Sequence, residues 1–141
     1  MLIEELAKRH RPGSDACAVN LLDSKIAAPN PDYLSYTLSK SALAAATDLY
    51  ARAFAGAGVR VNAIAPALVL RSTGQSEENY RAMRANNPLG RAIEPREVVD
   101  AILYLAAATA VTGQTILIDG GQRFMALERD VQFLGLEGPG E

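Results

Sequence analysis

Three stretches of the chain place apolar residues at the three- and four-residue spacing of an α-helix. The first runs from Met1 to Arg9, the second from about Tyr33 to about Ala55, and the third begins at residue 95 with a proline in its first position. Alanines fill much of the second stretch, which allows a sheet or another helix to approach closely. Asp32, just before it, is expected to cap this helix.

Three short runs outside the helical stretches are predicted as strands, at residues 16–22, 59–65 and 114–118, and the first of them is continuously small and apolar. Continuous apolar runs bounded by turn residues predict strands covered on both faces, as in parallel sheets. The order strand, helix, strand predicts an α/β fold, here a partial Rossmann-type parallel sheet with flanking helices. The polar stretch 71–87 predicts a loop with a short helix, which could be a lid or an ordinary surface excursion.

The composition describes an ordinary globular domain. The chain has 141 residues, of which 49% are hydrophobic and 21% charged, and its net charge is −2. This charge gives no electrostatic footprint for nucleic acid, which is therefore not an expected partner. Because the sequence has neither a signal-type segment nor an apolar run long enough to span a bilayer, we expect a cytoplasmic protein without a membrane partner.

Cysteine and histidine are too few to build a metal site or a disulfide. The single cysteine, Cys17, lies in an apolar run, where a small core residue is expected rather than a reactive thiol. The single histidine, His10, lies among basic residues, where a solvated helix end is expected rather than a ligand or a base.

Acid–base chemistry is indicated by Tyr36 and Lys40, which are four residues apart and so share a helix face. An ammonium group held beside a phenol favours the phenolate, so Lys40 is expected to lower the pKa of Tyr36 toward neutrality. The spacing alone also fits an exposed helical pair, worth a few tenths of a kcal/mol.

Asp23 follows the first predicted strand at its carboxyl end. In open parallel sheets that end lines the ligand crevice, so this carboxylate is a candidate site residue. Aspartate is equally common as a turn former or helix cap, and the sequence alone leaves both interpretations open.

Taken in order, these features resemble the C-terminal half of the short-chain dehydrogenase/reductase family, over residues 1–124, with 125–141 expected to be a partly packed tail. The motifs that carry the resemblance are Tyr36 and Lys40 in Tyr-x-x-x-Lys, the alanine-rich helix, residues 59–62 leading to Pro66, the turn 88–91, residues 95–98, and residues 112–114 leading to the glycines at 120 and 121.

The resemblance implies roles for individual residues. Tyr36 would donate a proton to the substrate, and Lys40 would bind the nicotinamide ribose and lower the pKa of Tyr36. Coenzyme contacts would come from Tyr36, Lys40, Pro66, Ala67 and Leu68, with a serine or threonine at 72 or 73 near the nicotinamide amide. It also implies a homodimer or homotetramer formed through the first helix and the Tyr36 helix.

Asp23 departs from the pattern of the family, in which most members have serine thirteen positions before the tyrosine. This departure resembles the pteridine reductase branch, which includes alternative dihydrofolate and dihydromonapterin reductases. The branch implies NADPH as the coenzyme and a pterin or dihydrofolate-like substrate. A carboxylate can accept hydrogen bonds from the nitrogens of such a ring. The alternative within the family is a general carbonyl or alcohol oxidoreductase, for which a neutral serine would be better suited.

No glycine-rich Thr-Gly-x-x-x-Gly-x-Gly turn occurs in the sequence. Such a turn normally presents a helix N-terminus to the pyrophosphate of the dinucleotide. We therefore expect either a fragment of a reductase or a short form of one. The alternative that is not an enzyme is a non-catalytic dimerisation remnant. The edge of the first strand is expected to be exposed.

Overall fold

The computed structural model describes residues 2–11 and 13–134. The helices are α1 (Leu2–Arg9), α2 (Leu34–Phe54), α3 (Glu77–Met83) and α4 (Pro95–Ala107), and the strands are β1 (Ala16–Leu21), β2 (Val59–Pro66) and β3 (Thr115–Ile118). Short 3₁₀ turns occupy Ser24–Ala27, Ala55–Ala57, Gln122–Met125 and Val131–Phe133.

The three strands form one parallel sheet in the order β1-β2-β3. Ala16 pairs with Val59 at one end of the β1–β2 ladder, and Pro66 pairs with Ile118 at the end of the β2–β3 ladder. The predicted α/β fold with a partial Rossmann-type parallel sheet and flanking helices is confirmed. Within the part of the chain that the structure describes, no helix is long and apolar enough to cross a bilayer.

β2 is the centre of the core because its side chains alternate between the two helical layers. Val59 and Val61 pack with Ile3 of α1 and Ala51 of α2. On the opposite face, the Arg60 guanidinium reaches the carbonyl of Leu105 in α4, 2.7 Å away. The seven residues 59–65 are all buried, including the polar Arg60 and Asn62.

β1 departs from its prediction of full coverage on both faces. All six of its residues are partly or fully exposed, and Leu21 is 54% exposed. β1 pairs with β2 along one edge and lies at the end of the sheet order, so no strand among the described residues pairs with its other edge. This unpaired edge of β1 agrees with the expectation that the edge of the first strand is exposed.

The start of α2 also differs from its prediction. Tyr33, not Asp32, occupies the N-cap position, with a left-handed φ of 54° and no side-chain cap hydrogen bond. The Asp32 carboxylate instead accepts hydrogen bonds from Arg129 Nε and from the backbone N–H of Asp130, both at 2.8 Å. The Asp32 carboxylate therefore bonds Arg129 and Asp130 instead of capping α2.

Candidate active site

A cavity of about 590 Å³ opens at the carboxyl end of the sheet, where β1 and β2 end beside the first turns of α2. This is the edge at which open parallel sheets bind ligands. All six residues predicted for the site line it, namely Asp23, Tyr36, Lys40, Pro66, Ala67 and Leu68. The structure therefore brings together the candidate catalytic and coenzyme-binding residues.

Asp23 is both a turn former and a cavity residue, so the two interpretations of the sequence are compatible. Its Oδ1 accepts a hydrogen bond from the backbone N–H of Lys25 at 2.8 Å and caps the 3₁₀ turn Ser24–Ala27. Its Oδ2 accepts a hydrogen bond from the Tyr36 hydroxyl at 2.9 Å. The turn fixes one carboxylate oxygen and leaves the other directed at the phenol.

The protonation of Tyr36 differs from its prediction. Partial burial, the charge of Asp23 and the hydrogen bond to Asp23 raise the pKa of Tyr36 well above its usual value near 10, and the charge of Asp130 adds to this. All of these favour the neutral phenol. The expected lowering of this pKa by Lys40 is therefore wrong.

Lys40 lies against Tyr36 but not at its oxygen. Its ammonium nitrogen is 5.5 Å from the centre of the Tyr36 ring and donates a 2.8 Å hydrogen bond to the backbone carbonyl of Leu21. The four-residue spacing thus places the cation beside the ring face, where it attracts the π-electrons. The carbonyl at the end of β1 fixes the direction in which the ammonium points.

The segment after β2 forms an apolar wall of the cavity. Pro66 is the last residue of β2, and the Ala67 N–H donates to the Ile118 carbonyl at 3.0 Å, which extends the ladder with β3. Leu68 follows along the same wall, and Ser72 and Thr73 also line the cavity. A flat apolar ring and a polar amide would find matching surfaces here.

The tail contributes to the cavity in a way that the sequence did not predict. Asp130 forms an ion pair with Lys25 at 2.9 Å, and the Lys25 side chain is only 8% exposed. Arg129 and Asp130 are also held by Asp32. The five cavity-lining residues of this segment are Leu127, Arg129, Asp130, Val131 and Gln132.

Tyr33 joins the tail to the start of α2. Its hydroxyl donates to Gln132 Oε1 at 2.7 Å, and its ring stacks on Phe133 with the ring centres 5.6 Å apart. The only sequence signal for this packing was the alternation of apolar and charged residues beyond Phe124, which does not identify a partner. Residues 135–141 of the expected tail lie outside the described residues.

His10 and Cys17 do not line the cavity. His10 Nε2 lies 2.9 Å from the Ser14 carbonyl, near the end of α1. The half-buried thiol of Cys17 lies 3.6 Å from the Leu105 carbonyl in α4.

A family model described as enoyl-(acyl carrier protein) reductase matches residues 1–123. The chain belongs to the short-chain dehydrogenase/reductase family. Among curated members, the glucose 1-dehydrogenase of Gluconobacter oxydans is 40% identical over 99 residues, which are 66% of this chain and 37% of that protein.

Two solved members of the family support the branch that Asp23 indicated. The FolM alternative dihydrofolate reductase 1 from Brucella suis, in complex with NADP, matches with a TM-score of 0.82 and 40% identity, over 87% of this chain and 49% of that one. The protein of that name from Brucella canis, also complexed with NADP, gives a TM-score of 0.78 and 37% identity, over 87% and 48%. The predicted resemblance to this branch is confirmed, and the chain spans about half the length of these structures.

Proposed function

We propose that the chain carries the catalytic half-site of an NADPH-dependent oxidoreductase that reduces the C=N bond of a pterin or dihydrofolate-like substrate. The observation that carries the proposal is the 2.9 Å hydrogen bond between Tyr36 and Asp23, two residues that line the cavity where the strands end. A phenol and a carboxylate in contact form a proton path toward a ring nitrogen. The similarity to FolM alternative dihydrofolate reductases crystallised with NADP supports the choice of substrate class and coenzyme.

Tyr36 would deliver the proton. Because its raised pKa keeps the phenol neutral at physiological pH, it is ready to donate when negative charge develops on the substrate nitrogen. Asp23 would orient the hydroxyl and carry the replacement proton from solvent to Tyr36. Reduction, which consumes a proton, is the direction that this arrangement favours.

The residues present fit the nicotinamide end of the coenzyme. The Lys40 ammonium and the apolar strip Pro66, Ala67 and Leu68 lie around one cavity, and they match ribose hydroxyls and a flat ring, respectively. When bound, the reduced nicotinamide supplies the hydride that adds to the carbon of the C=N bond. Lys40 would hold the ribose, and the apolar strip would exclude water from the ring.

A general carbonyl or alcohol oxidoreductase is the second candidate. It is favoured by the similarity to a protein named glucose 1-dehydrogenase, which is 40% identical over 99 residues. Asp23 separates the candidates, because a neutral serine suits a carbonyl oxygen whereas a carboxylate suits nitrogen donors.

The Asp23→Ser variant tests the proposal. We expect the full chain to reduce a dihydropterin with NADPH, and Asp23→Ser to lose this activity while retaining or gaining reduction of a simple ketone. Ketone reduction by the unaltered chain with no dihydropterin turnover would support the second candidate. No turnover of either substrate by a folded chain would contradict both and favour a non-catalytic dimerisation role.

We also propose that α1 and α2 form the contact of a homodimer or homotetramer. Leu2 of α1 and Leu38 and Leu49 of α2 are exposed apolar side chains on these two helices. Such residues favour association when they form a shared surface. Sedimentation of the chain and of its Leu49→Lys variant tests this, with a shift toward monomer expected for the variant.

A further inference from the structure

Lys25 holds two carboxylates of the cavity from its two ends. Its backbone N–H donates to Asp23 Oδ1 at 2.8 Å, and its side-chain ammonium pairs with Asp130 Oδ2 at 2.9 Å. Asp23 and Asp130 both line the cavity. The site therefore contains a second carboxylate, brought in by the tail and separated from the first by a lysine side chain.

Asp130 is rigidly placed. Its side chain is only 20% exposed, its Oδ1 accepts from the Gln132 N–H at 3.1 Å, and its own N–H donates to Asp32 at 2.8 Å. Asp130 and Tyr36 both line the cavity, and the negative charge of Asp130 contributes to the raised pKa of Tyr36. A carboxylate held at both oxygens, on a backbone that is itself hydrogen-bonded, needs little reorganisation to bind a ligand.

Both carboxylates retain capacity to accept hydrogen bonds. An ionised carboxylate offers about four lone-pair sites, and the bonds described for Asp130 use two of them. The bonds described for Asp23 also use two sites, and one of them is occupied by the Tyr36 hydroxyl. The two groups are thus suited to different parts of a ligand.

A pterin needs recognition at two separate places. Its reducible C=N bond belongs to the pyrazine ring, whereas its 2-amino group and adjacent ring N–H belong to the pyrimidine ring. A carboxylate that serves Tyr36 at the reacting nitrogen is poorly placed to bind the 2-amino group as well. The 2-amino group and the ring N–H of the pyrimidine ring therefore need a second acceptor. A charged acceptor binds such donors most strongly.

We propose that Asp130 is a specificity-determining residue that accepts hydrogen bonds from the 2-amino edge of the pterin, while Asp23 and Tyr36 serve the reducible bond. This inference rests on the proposed function. In this inference the tail, held through the Lys25–Asp130 pair, selects an amino-substituted ring over an oxo-substituted one.

Direct binding of two probes to the full chain tests the inference without turnover. Pterin and lumazine share the same bicycle, but lumazine carries a carbonyl in place of the 2-amino group. By titration calorimetry we expect pterin to bind about tenfold more tightly than lumazine, as one charge-assisted hydrogen bond provides. Asp130→Asn should reduce this preference to about twofold, whereas Glu128→Gln, an exposed carboxylate two residues away, should leave it unchanged.

A second variant separates recognition from tail packing. Lys25→Met combined with Asp130→Leu removes both partners of the ion pair, so that no buried charge is left alone. If the near-ultraviolet circular dichroism of the aromatic residues is retained and the preference for pterin is lost, the inference stands. If pterin and lumazine weaken equally in Asp130→Asn, Asp130 only supports the tail, and the inference is wrong.

The outcomes also distinguish this inference from the proposed function. A preference that survives Asp130→Asn but disappears in Asp23→Asn would assign the amino group to Asp23 and overturn the inference alone. Equal binding of both probes to the unaltered chain would also overturn the inference alone, because there would be no preference for the amino group. Binding of neither probe would contradict the proposed substrate class and the inference together.

Discussion

Tyr36 and Asp23, thirteen residues apart in the chain, share a 2.9 Å hydrogen bond in the lining of the cavity. Their contact depends on two local structures, the 3₁₀ turn after β1 and the first turn of α2. Because the phenol donates to a carboxylate, ionisation of Tyr36 would bring two negative charges together. The pair therefore keeps Tyr36 protonated.

Asp23→Asn should shift the ionisation of Tyr36 to lower pH. The raised pKa means that the neutral phenol persists far into the alkaline range, and removal of the Asp23 charge removes one of its main causes. Ultraviolet titration of phenolate absorbance checks this, with Tyr36→Phe subtracted to identify the signal among the five tyrosines. An unchanged titration in Asp23→Asn would show that the charge does not act on Tyr36.

Asp32→Asn should loosen the tail. The Asp32 carboxylate accepts hydrogen bonds from the Arg129 side chain and from the Asp130 backbone N–H. These two bonds hold the pKa of Asp32 below its usual value. We expect faster hydrogen exchange at residues 129–133, because the Asp130 N–H loses a charged acceptor. Asp48→Asn, which affects an exposed pair with Arg52, is the control and should leave this exchange unchanged.

The sequence predicted the sheet and the composition of the cavity well, since both depend on local patterns. The run 59–65, predicted as a strand, is the buried central strand, and the carboxyl ends of β1 and β2 necessarily meet at one edge of the sheet. Tyr36 and Lys40 share a helix face for the same geometric reason.

The predictions that are wrong or missing concern contacts between residues far apart in the chain. Asp32 was predicted as a cap, but Arg129 lies 97 residues away in sequence and no spacing rule identifies it. The pKa of Tyr36 was predicted from Lys40 alone, whereas Asp23 and Asp130 act on it from two other segments. The charged tail gave no periodic signal, so its packing over Lys25 and Tyr33 was not predicted.

Arg60→Met should destabilise the fold by about 1–3 kcal/mol, because it leaves carbonyl oxygens at the end of α4 without their buried donor. The guanidinium bonds both oxygens of Asp15, at 2.7 and 2.9 Å, and reaches the carbonyls of Leu105, Ala106 and Ala108 at the end of α4. Urea unfolding measures the change. Arg52→Met, in an exposed helical pair, should cost no more than about 0.5 kcal/mol, and an equal effect of both variants would contradict this role for Arg60.

Glu97 should contribute to stability in a pH-dependent way. Two hydrogen bonds from Arg91, at 2.7 and 2.9 Å, and one from the Glu94 N–H lower the pKa of Glu97 from 4.5 to about 2. Since the folded pKa is depressed, the contribution is fully present above the unfolded pKa and is lost as pH falls toward 2.

Thermal unfolding of the chain and of Glu97→Gln from pH 6 downward checks this expectation. The difference in Tm should be largest near pH 6 and should shrink below about pH 4.5, where the unfolded carboxyl begins to bind protons. A difference that grows on acidification would have the opposite sign and would contradict the account.

The most direct test of the central claim is the steady-state oxidation of NADPH by the full chain with a dihydropterin, compared between the unaltered protein and Tyr36→Phe. The account predicts turnover that falls by about 100-fold or more in Tyr36→Phe, the usual range for loss of a general acid. Tyr104→Phe, which alters an exposed tyrosine of α4 away from the cavity, should leave the rate unchanged. No dihydropterin-dependent oxidation by the unaltered chain, or an equal rate in Tyr36→Phe, would contradict the claim that Tyr36 is the proton donor of a reductase.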